Sequence, residues 1–275
     1  MKKNKLLRGP FSVLMTPFQG DKVDENAYIR QVERLNGSKV SGYVTNGSTG
    51  EFIQLSMAEQ MQISEWTAKA KSADKKLIVS ACTGNLADTV EICRHAGKIG
   101  ADAVLVCPPY YFKYTPKERE EYFVQVANLS PVPVFLYNIP FFTQELELDI
   151  IYRLLAHENI IGIKDSSANM KRLEHMVEKT QDMPVEIFTG TDDILFPALV
   201  GGVTGSMTAF ATIYPDEICG IYEAVQNGDY QRAKEIQFSL MSALREADSE
   251  TFPKGYKKLM EKVSGIPFAN KEVQE

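Results

Sequence analysis

Cysteine is scarce in this chain of 275 residues, and the four present, Cys82, Cys93, Cys107 and Cys219, include no C-x-x-C pair. A chain of this size buries enough apolar surface to need no disulfide staple, so they read as buried thiols. Histidine is scarcer still. His95, His157 and His175 stand alone, without a second ligand at helical or hairpin spacing, and no metal is expected. No basic tract interrupts the mixed charges behind the net charge of -6, which argues against nucleic acid or an anionic membrane as partner. No apolar run is long enough to span a bilayer. The start, Met1 to Arg8, is basic, but the run after it is broken by Pro10 and Pro17 and lacks a small-residue cleavage site, so a cytoplasmic protein is expected. Also missing is a glycine-rich phosphate fingerprint after the first strand, which a doubly wound dinucleotide-binding sheet would normally show.

What the chain does have is ordinary globular material, 44% hydrophobic and 24% charged, arranged in a rhythm. Short apolar or β-branched runs at 11–16, 42–45, 77–81, 103–107, 132–137, 160–164, 185–188 and 205–209 read as buried parallel strands. Amphipathic segments at 25–35, 57–71, 87–98, 116–128, 149–157 and 168–179 read as the helices between them. Ser56 with Glu59, and Thr115 with Pro116 and Glu118, are start signals of the capping-box type. Eight strand–helix alternations imply an α/β fold of the closed (β/α)8 TIM-barrel kind. Segments 216–226, 230–247 and 253–263 would supply the last barrel helix and a C-terminal helical extension. One domain is expected, with the barrel at about 9–226 and the added helices at about 227–275.

In such barrels chemistry belongs at the C-terminal ends of the strands. Lys164 ends the apolar run Ile160-Ile161-Gly162-Ile163, where desolvation would lower its pKa and free an amine for attack on a carbonyl. Taken alone, a lysine that snorkels to water or pairs with Asp165 is the commoner case. Tyr137 closes the run from Val132 to Leu136 and could relay protons, although a packed tyrosine with a satisfied hydroxyl would look the same. Gly47-Ser48-Thr49-Gly50 offers clustered N–H groups, hydroxyls and glycines free to adopt unusual backbone angles, a cradle suited to a carboxylate. It lacks the lysine of a P-loop.

Together these stretches resemble the dihydrodipicolinate synthase and N-acetylneuraminate lyase family of pyruvate-dependent class I aldolases. The resemblance runs over essentially the whole chain. It includes Gly9-Pro10-Phe11, Thr16-Pro17-Phe18, Gly47 to Glu51, Pro108-Pro109-Tyr110-Tyr111, Tyr137 to Pro140, Ile163-Lys164-Asp165 and Gly190-Thr191-Asp192-Asp193.

It implies Lys164 as the Schiff-base lysine, with no other cofactor, Tyr137 as proton relay, and Ser48 and Thr49 as the carboxylate-binding pair with Gly47 beside them. Tyr111 would reach a neighbouring active site within a homotetramer, and Ser166, Gly190, Asp192 and Asp193 would face the substrate. A helix N-cap is an equal alternative for the two aspartates. Dihydrodipicolinate synthases typically carry an arginine five residues after the relay tyrosine, where this chain has Phe142 after Phe141. An aromatic ring there cannot make a bidentate carboxylate contact. The leading expectation is therefore cleavage or formation of a 2-keto-3-deoxy sugar acid, such as N-acetylneuraminate or 2-keto-3-deoxygluconate, from pyruvate and a neutral aldehyde. The alternatives are 4-hydroxy-tetrahydrodipicolinate synthase, a sugar-acid dehydratase using the same imine, and a barrel that binds a keto acid without turnover.

Overall fold

The computed structural model describes residues 7–272, so most of the basic start (1–6) and the end of the C-terminal extension (273–275) lie outside the described residues. Strand β1 (Gly9–Val13) leads into a two-stranded antiparallel hairpin, β2 (Phe18–Gln19) and β3 (Lys22–Val23), and then α1 (Glu25–Asn36). Strand–helix pairs follow: β4 (Gly42–Thr45) with α2 (Met57–Ala70), β5 (Lys76–Ser80) with α3 (Leu86–Lys98), and β6 (Ala103–Val106) with α4 (Pro116–Leu129). Next come β7 (Val134–Asn138) with α5 (Leu148–Leu155), β8 (Ile160–Asp165) with α6 (Met170–Thr180), and β9 (Glu186–Thr189) with α7 (Leu195–Val200). The last strand, β10 (Gly205–Thr208), is followed by α8 (Phe210–Ile213), α9 (Pro215–Gln226), α10 (Tyr230–Asp248) and α11 (Lys254–Ser264).

The parallel strands close into a barrel in the order β1-β10-β9-β8-β7-β6-β5-β4, with β1 pairing β4 to complete the ring. The fold is a (β/α)8 barrel with added C-terminal helices, as the strand–helix rhythm implies. Alternation along each strand divides the core in two. Phe11, Ile78, Leu105, Phe135, Phe188 and Met207 fill the barrel interior, where Phe188 meets Phe11 and Phe135 edge-on at 5.8 and 5.5 Å. Each such buried ring contributes about 1.5–3 kcal/mol. The opposite strand faces pack on the helices, through residues such as Val79, Val104, Leu136 and Ile163.

Both capping boxes form. Ser56 Oγ accepts the Glu59 N–H while Glu59 accepts the Ser56 N–H at 2.7 Å, and Thr115 and Glu118 do the same. Element ends moved where local chemistry intervened. The 132–137 expectation begins instead at Val134, because Pro133 lacks the N–H a ladder needs. The hairpin β2–β3 and the short helices α7 and α8 were not among the expected elements. Each is too brief to show a helical or strand period. Among the described residues no helix is long and apolar enough to cross a membrane.

Candidate active site

The inward positions of neighbouring strands reach the barrel mouth at the same level, and register decides which side chains meet there. Tyr137 on β7 pairs with Lys164 on β8, which pairs in turn with Phe188 on β9. The Lys164 side chain is 3% exposed, and its Nζ lies 4.4 Å from the centroid of the Tyr137 ring. Burial lowers the lysine to about 8, with Cys82 and Asp192 pulling the other way. Burial also raises the Tyr137 phenol, a shift that hydrogen bonding to Ser48 partly offsets. Ser48 Oγ stands 3.4 Å from the phenolic oxygen.

Lys164 does not pair with Asp165. That carboxylate turns outward to accept from Asn138 Nδ2 at 2.7 Å and Arg172 Nε at 3.0 Å, and from the Ser167 hydroxyl. Arg172 in turn donates to the Leu146 carbonyl, and Asn138 accepts the Leu146 N–H at 2.9 Å. The network ties together the strand ends that carry Tyr137 and Lys164 while leaving the amine free.

The turn after β4 differs from expectation in its backbone. Positive φ falls on Asn46 and Glu51, both at 56°, and not on the glycines between them. Asn46 holds its strained conformation by donating to the Gln60 carbonyl at 2.9 Å and Ser64 Oγ at 3.0 Å. The glycines are required by close approach instead: a Cβ on Gly47 would lie 2.8 Å from Val13 Cγ1, and one on Gly50 2.9 Å from the Leu14 carbonyl oxygen. The turn closes through Gly50 N–H to Gly47 C=O and Glu51 N–H to Ser48 C=O, both 3.0 Å, which leaves the Ser48 and Thr49 N–H groups outside its internal bonds. Thr49 and Ser48 line the same cavity as Lys164 and Tyr137.

That cavity, about 500 Å³, also takes in Ser166, Gly190, Asp192 and Asp193. Ser166 Oγ is buried beside the Tyr137 phenol. Gly190 is packed so closely that a Cβ would collide with Ser166 Oγ and sit 2.7 Å from Lys164 Cε. Asp192 does not cap α7, which is preceded by Ile194 without a side-chain cap; its Oδ2 instead accepts the Phe210 N–H, the first of α8, at 3.3 Å. Its Oδ1 is buried and unpartnered, and burial raises the carboxyl to about 7 against the pull of Thr208. Tyr111 is not brought to the site of its own chain. It is 90% exposed on the loop after β6, with a φ of 81°.

Sequence reasoning missed Asp248, Tyr256 and Leu244, which the C-terminal helices lend to the cavity, and Thr208 at the end of β10. Tyr256 donates to Asp248 at 2.6 Å. Only the helical period was legible there, since which turn of α10 or α11 overhangs the barrel depends on packing.

The dihydrodipicolinate synthetase family model matches residues 6–270. A 4-hydroxy-tetrahydrodipicolinate synthase of Methanospirillum hungatei is 34% identical over 260 residues, 93% of this chain and 89% of that protein. Among solved structures, a prophage protein of the dihydrodipicolinic acid synthase family from E. coli K12, in complex with pyruvate, superposes with a TM-score of 0.90 at 27% identity, covering 98% of this chain and 95% of that one. CdNal from Clostridium difficile, in complex with mannosamine, superposes with a TM-score of 0.88 at 27% identity, covering 97% and 95%. Fold, strand-end residues and these matches agree, and the chain belongs to the dihydrodipicolinate synthetase family.

Proposed function

We propose that this chain is a class I aldolase in which Lys164 forms a Schiff base with pyruvate or another 2-keto acid, with no metal and no other cofactor. The observation that carries the reading is the Lys164 amine, buried beside the Tyr137 phenol with its pKa held at about 8. The neutral amine attacks the keto carbon, and the oxygen leaves as water after protonation. Tyr137 and Ser48, in contact at 3.4 Å, provide a path for those protons. The hydroxyls and N–H groups of Ser48 and Thr49, beside Gly47, receive the keto acid's carboxylate. Tyr111, turned away from its own site, serves a neighbouring subunit of a homotetramer. The four free, buried thiols support a reducing, cytoplasmic location.

Because the attacking species is the neutral amine, the rate of borohydride-trapped pyruvate adduct formation rises with pH through about 8 and levels above it. An ordinary lysine would place that limb near about 10.4. A limb near that higher value would show that a solvated lysine is the nucleophile.

Gly190→Ala drives a methyl group against Lys164 Cε and Ser166 Oγ. Displacing the amine by about an ångström lowers kcat roughly 10²-fold. Steady-state kinetics on the folded variant test this, and an unchanged kcat would mean that the pocket yields without moving the lysine.

For the aldehyde partner, the cavity wall supports a neutral, hydroxylated compound. Among its described lining residues Lys164 is the only cation, while Asp192, Asp193 and Asp248 are acidic and Phe141 and Phe142 occupy the strand end where a guanidinium could stand. A carboxylate on the aldehyde would meet no second cation there, whereas hydroxyl groups would find acceptors. This supports aldol cleavage or formation of a 2-keto-3-deoxy sugar acid such as N-acetylneuraminate or 2-keto-3-deoxygluconate, and the mannosamine complex of CdNal is compatible with it.

A second reading, condensation of pyruvate with aspartate semialdehyde by a 4-hydroxy-tetrahydrodipicolinate synthase, is favoured by the names of the curated relatives. On those names alone it stands ahead of the sugar-acid reading. Pyruvate release from a panel of 2-keto-3-deoxy acids, set against pyruvate consumption with aspartate semialdehyde, separates the two. Turnover confined to the semialdehyde would select the synthase.

A further inference from the structure

Cys82 and Cys107 follow the C-terminal ends of β5 and β6, and β6 neighbours the strand that carries Tyr137. The register pairs Ser80 with Leu105 and the ladder continues through Ala81 N–H to the Leu105 carbonyl at 2.8 Å, which carries Cys82 level with Cys107. Both side chains point into the barrel and pack in its interior cluster. Both also line a second cavity of about 260 Å³ that shares Ser48, Tyr137, Ile139 and Phe142 with the Lys164 cavity.

Two donors converge on the sulfur of Cys82, Ser80 Oγ at 3.3 Å and the Cys107 N–H at 3.2 Å, and the Cys107 side chain bonds to it as well; its own thiol points to the Leu105 carbonyl at 3.8 Å. Burial pushes the Cys82 thiol up, but these donors and the nearby Lys164 ammonium outweigh it, so that it lies below the usual thiol value. Cys107 is held well above it, by its hydrogen bond with Cys82 and by burial. The pair thus divides into an activated sulfur and a thiol that retains its proton. The other two cysteines lack such a setting: burial pushes Cys93 and Cys219 up to about 12.

We propose that Cys82 and Cys107 form a modification site in the wall of the catalytic pocket, at which a small hydroperoxide oxidises Cys82 and Cys107 resolves the product to a disulfide. The Cys82 thiolate attacks the terminal peroxide oxygen and the O–O bond breaks. The leaving oxygen takes a proton, and Cys82 becomes a sulfenic acid. Cys107 then loses its proton and attacks the Cys82 sulfur, breaking the S–O bond and releasing water. The sum is two thiols and one hydroperoxide converted to a disulfide, an alcohol and water, or two waters from hydrogen peroxide. Register partners on neighbouring strands lie about 4.8 Å apart, inside the roughly 4.4–6.8 Å window of Cα separations that disulfides span. The inference does not depend on the aldol reading, since its chemistry is read on the sulfurs themselves.

The test treats the full chain with hydrogen peroxide, alkylates the remaining thiols and maps each cysteine by peptide mass spectrometry over time. Cys82 and Cys107 are expected to disappear together into a disulfide reversible by dithiothreitol, at least about tenfold faster than Cys93 or Cys219 is lost. In Cys107→Ser the reaction stops at a Cys82 sulfenic acid that dimedone traps, and in Cys82→Ser the remaining Cys107 is inert. Loss of all four cysteines at similar rates, or oxidation of Cys82 to a sulfinic acid without the disulfide, would overturn the proposal. So would unchanged reactivity of Cys107 in Cys82→Ser. Should a serine variant fail to fold, the comparison of four cysteines within the wild-type molecule decides by itself.

Discussion

Lys164→Ala is expected to eliminate the adduct that borohydride traps between this chain and pyruvate, and to lower turnover by roughly 10⁴-fold or more, the scale on which removing a covalent nucleophile acts. The variant should fold. Lys164 makes no salt bridge among the described residues, and its side chain lines the cavity. Removing a desolvated ammonium from the barrel end also relieves the burial that lowers its pKa to about 8. Loss of adduct with retained cooperative unfolding is therefore the signature of a chemical role. The measurement is intact-protein mass after reduction, run beside thermal unfolding of both proteins. An adduct persisting in Lys164→Ala would move the Schiff base to another lysine and remove the basis of the aldolase reading.

The second large effect concerns stability. Glu51, in the turn that carries Ser48 and Thr49, forms an ion pair at 2.6 Å with Lys257 on α11, and the two side chains are only 4% and 1% exposed. Glu51 also accepts from Gln54 at 2.8 Å, and the Lys257 ammonium sits 4.7 Å from the centre of the Phe18 ring. Burial lowers the lysine, and Glu51 opposes that shift. Truncating one partner strands a charge away from water, so Glu51→Leu or Lys257→Met alone should each cost about 3–5 kcal/mol. The double variant should recover most of that loss, because two apolar groups in one packed site leave no charge unpaired. Denaturant unfolding of the four proteins measures the cycle. Additive losses in the double variant would mean that the pair is not coupled and that packing alone accounts for the cost.

That ion pair also marks the limit of what could be read from the chain. The capping boxes at Ser56 and Thr115 were legible because their donors and acceptors lie three residues apart, within one helical turn. The strand at 160–164 was legible because its apolar run ends abruptly at a charge, and the same abruptness singled out Lys164. Glu51 and Lys257, by contrast, are 206 positions apart, and neither has a neighbour that hints at the other. Asp192 was weighed as a helix cap because an aspartate just before an apolar segment commonly is one. The helix end it reaches is that of α8, through the Phe210 N–H 18 positions away on the far side of β10.

The sequence by itself determined the architecture and offered the strand-end residues, Lys164 and Tyr137 among them, from which a site was expected. Periodicity of two and of about 3.6 residues is a local property, and eight alternations of it leave a closed parallel barrel with its polar strand ends gathered at one mouth. Tertiary structure alone decided what those groups are worth chemically. Barrel closure buries the Lys164 amine beside Tyr137 and demands a bare Cα at Gly190 to make room for it. It brings Asp248 and Tyr256 of the terminal helices over the cavity and sets Cys82 beside Cys107, whose N–H meets the Cys82 sulfur at 3.2 Å. Burial and contact across the barrel depend on how strands register and helices dock, and that information is spread over the whole chain with no short spacing to carry it.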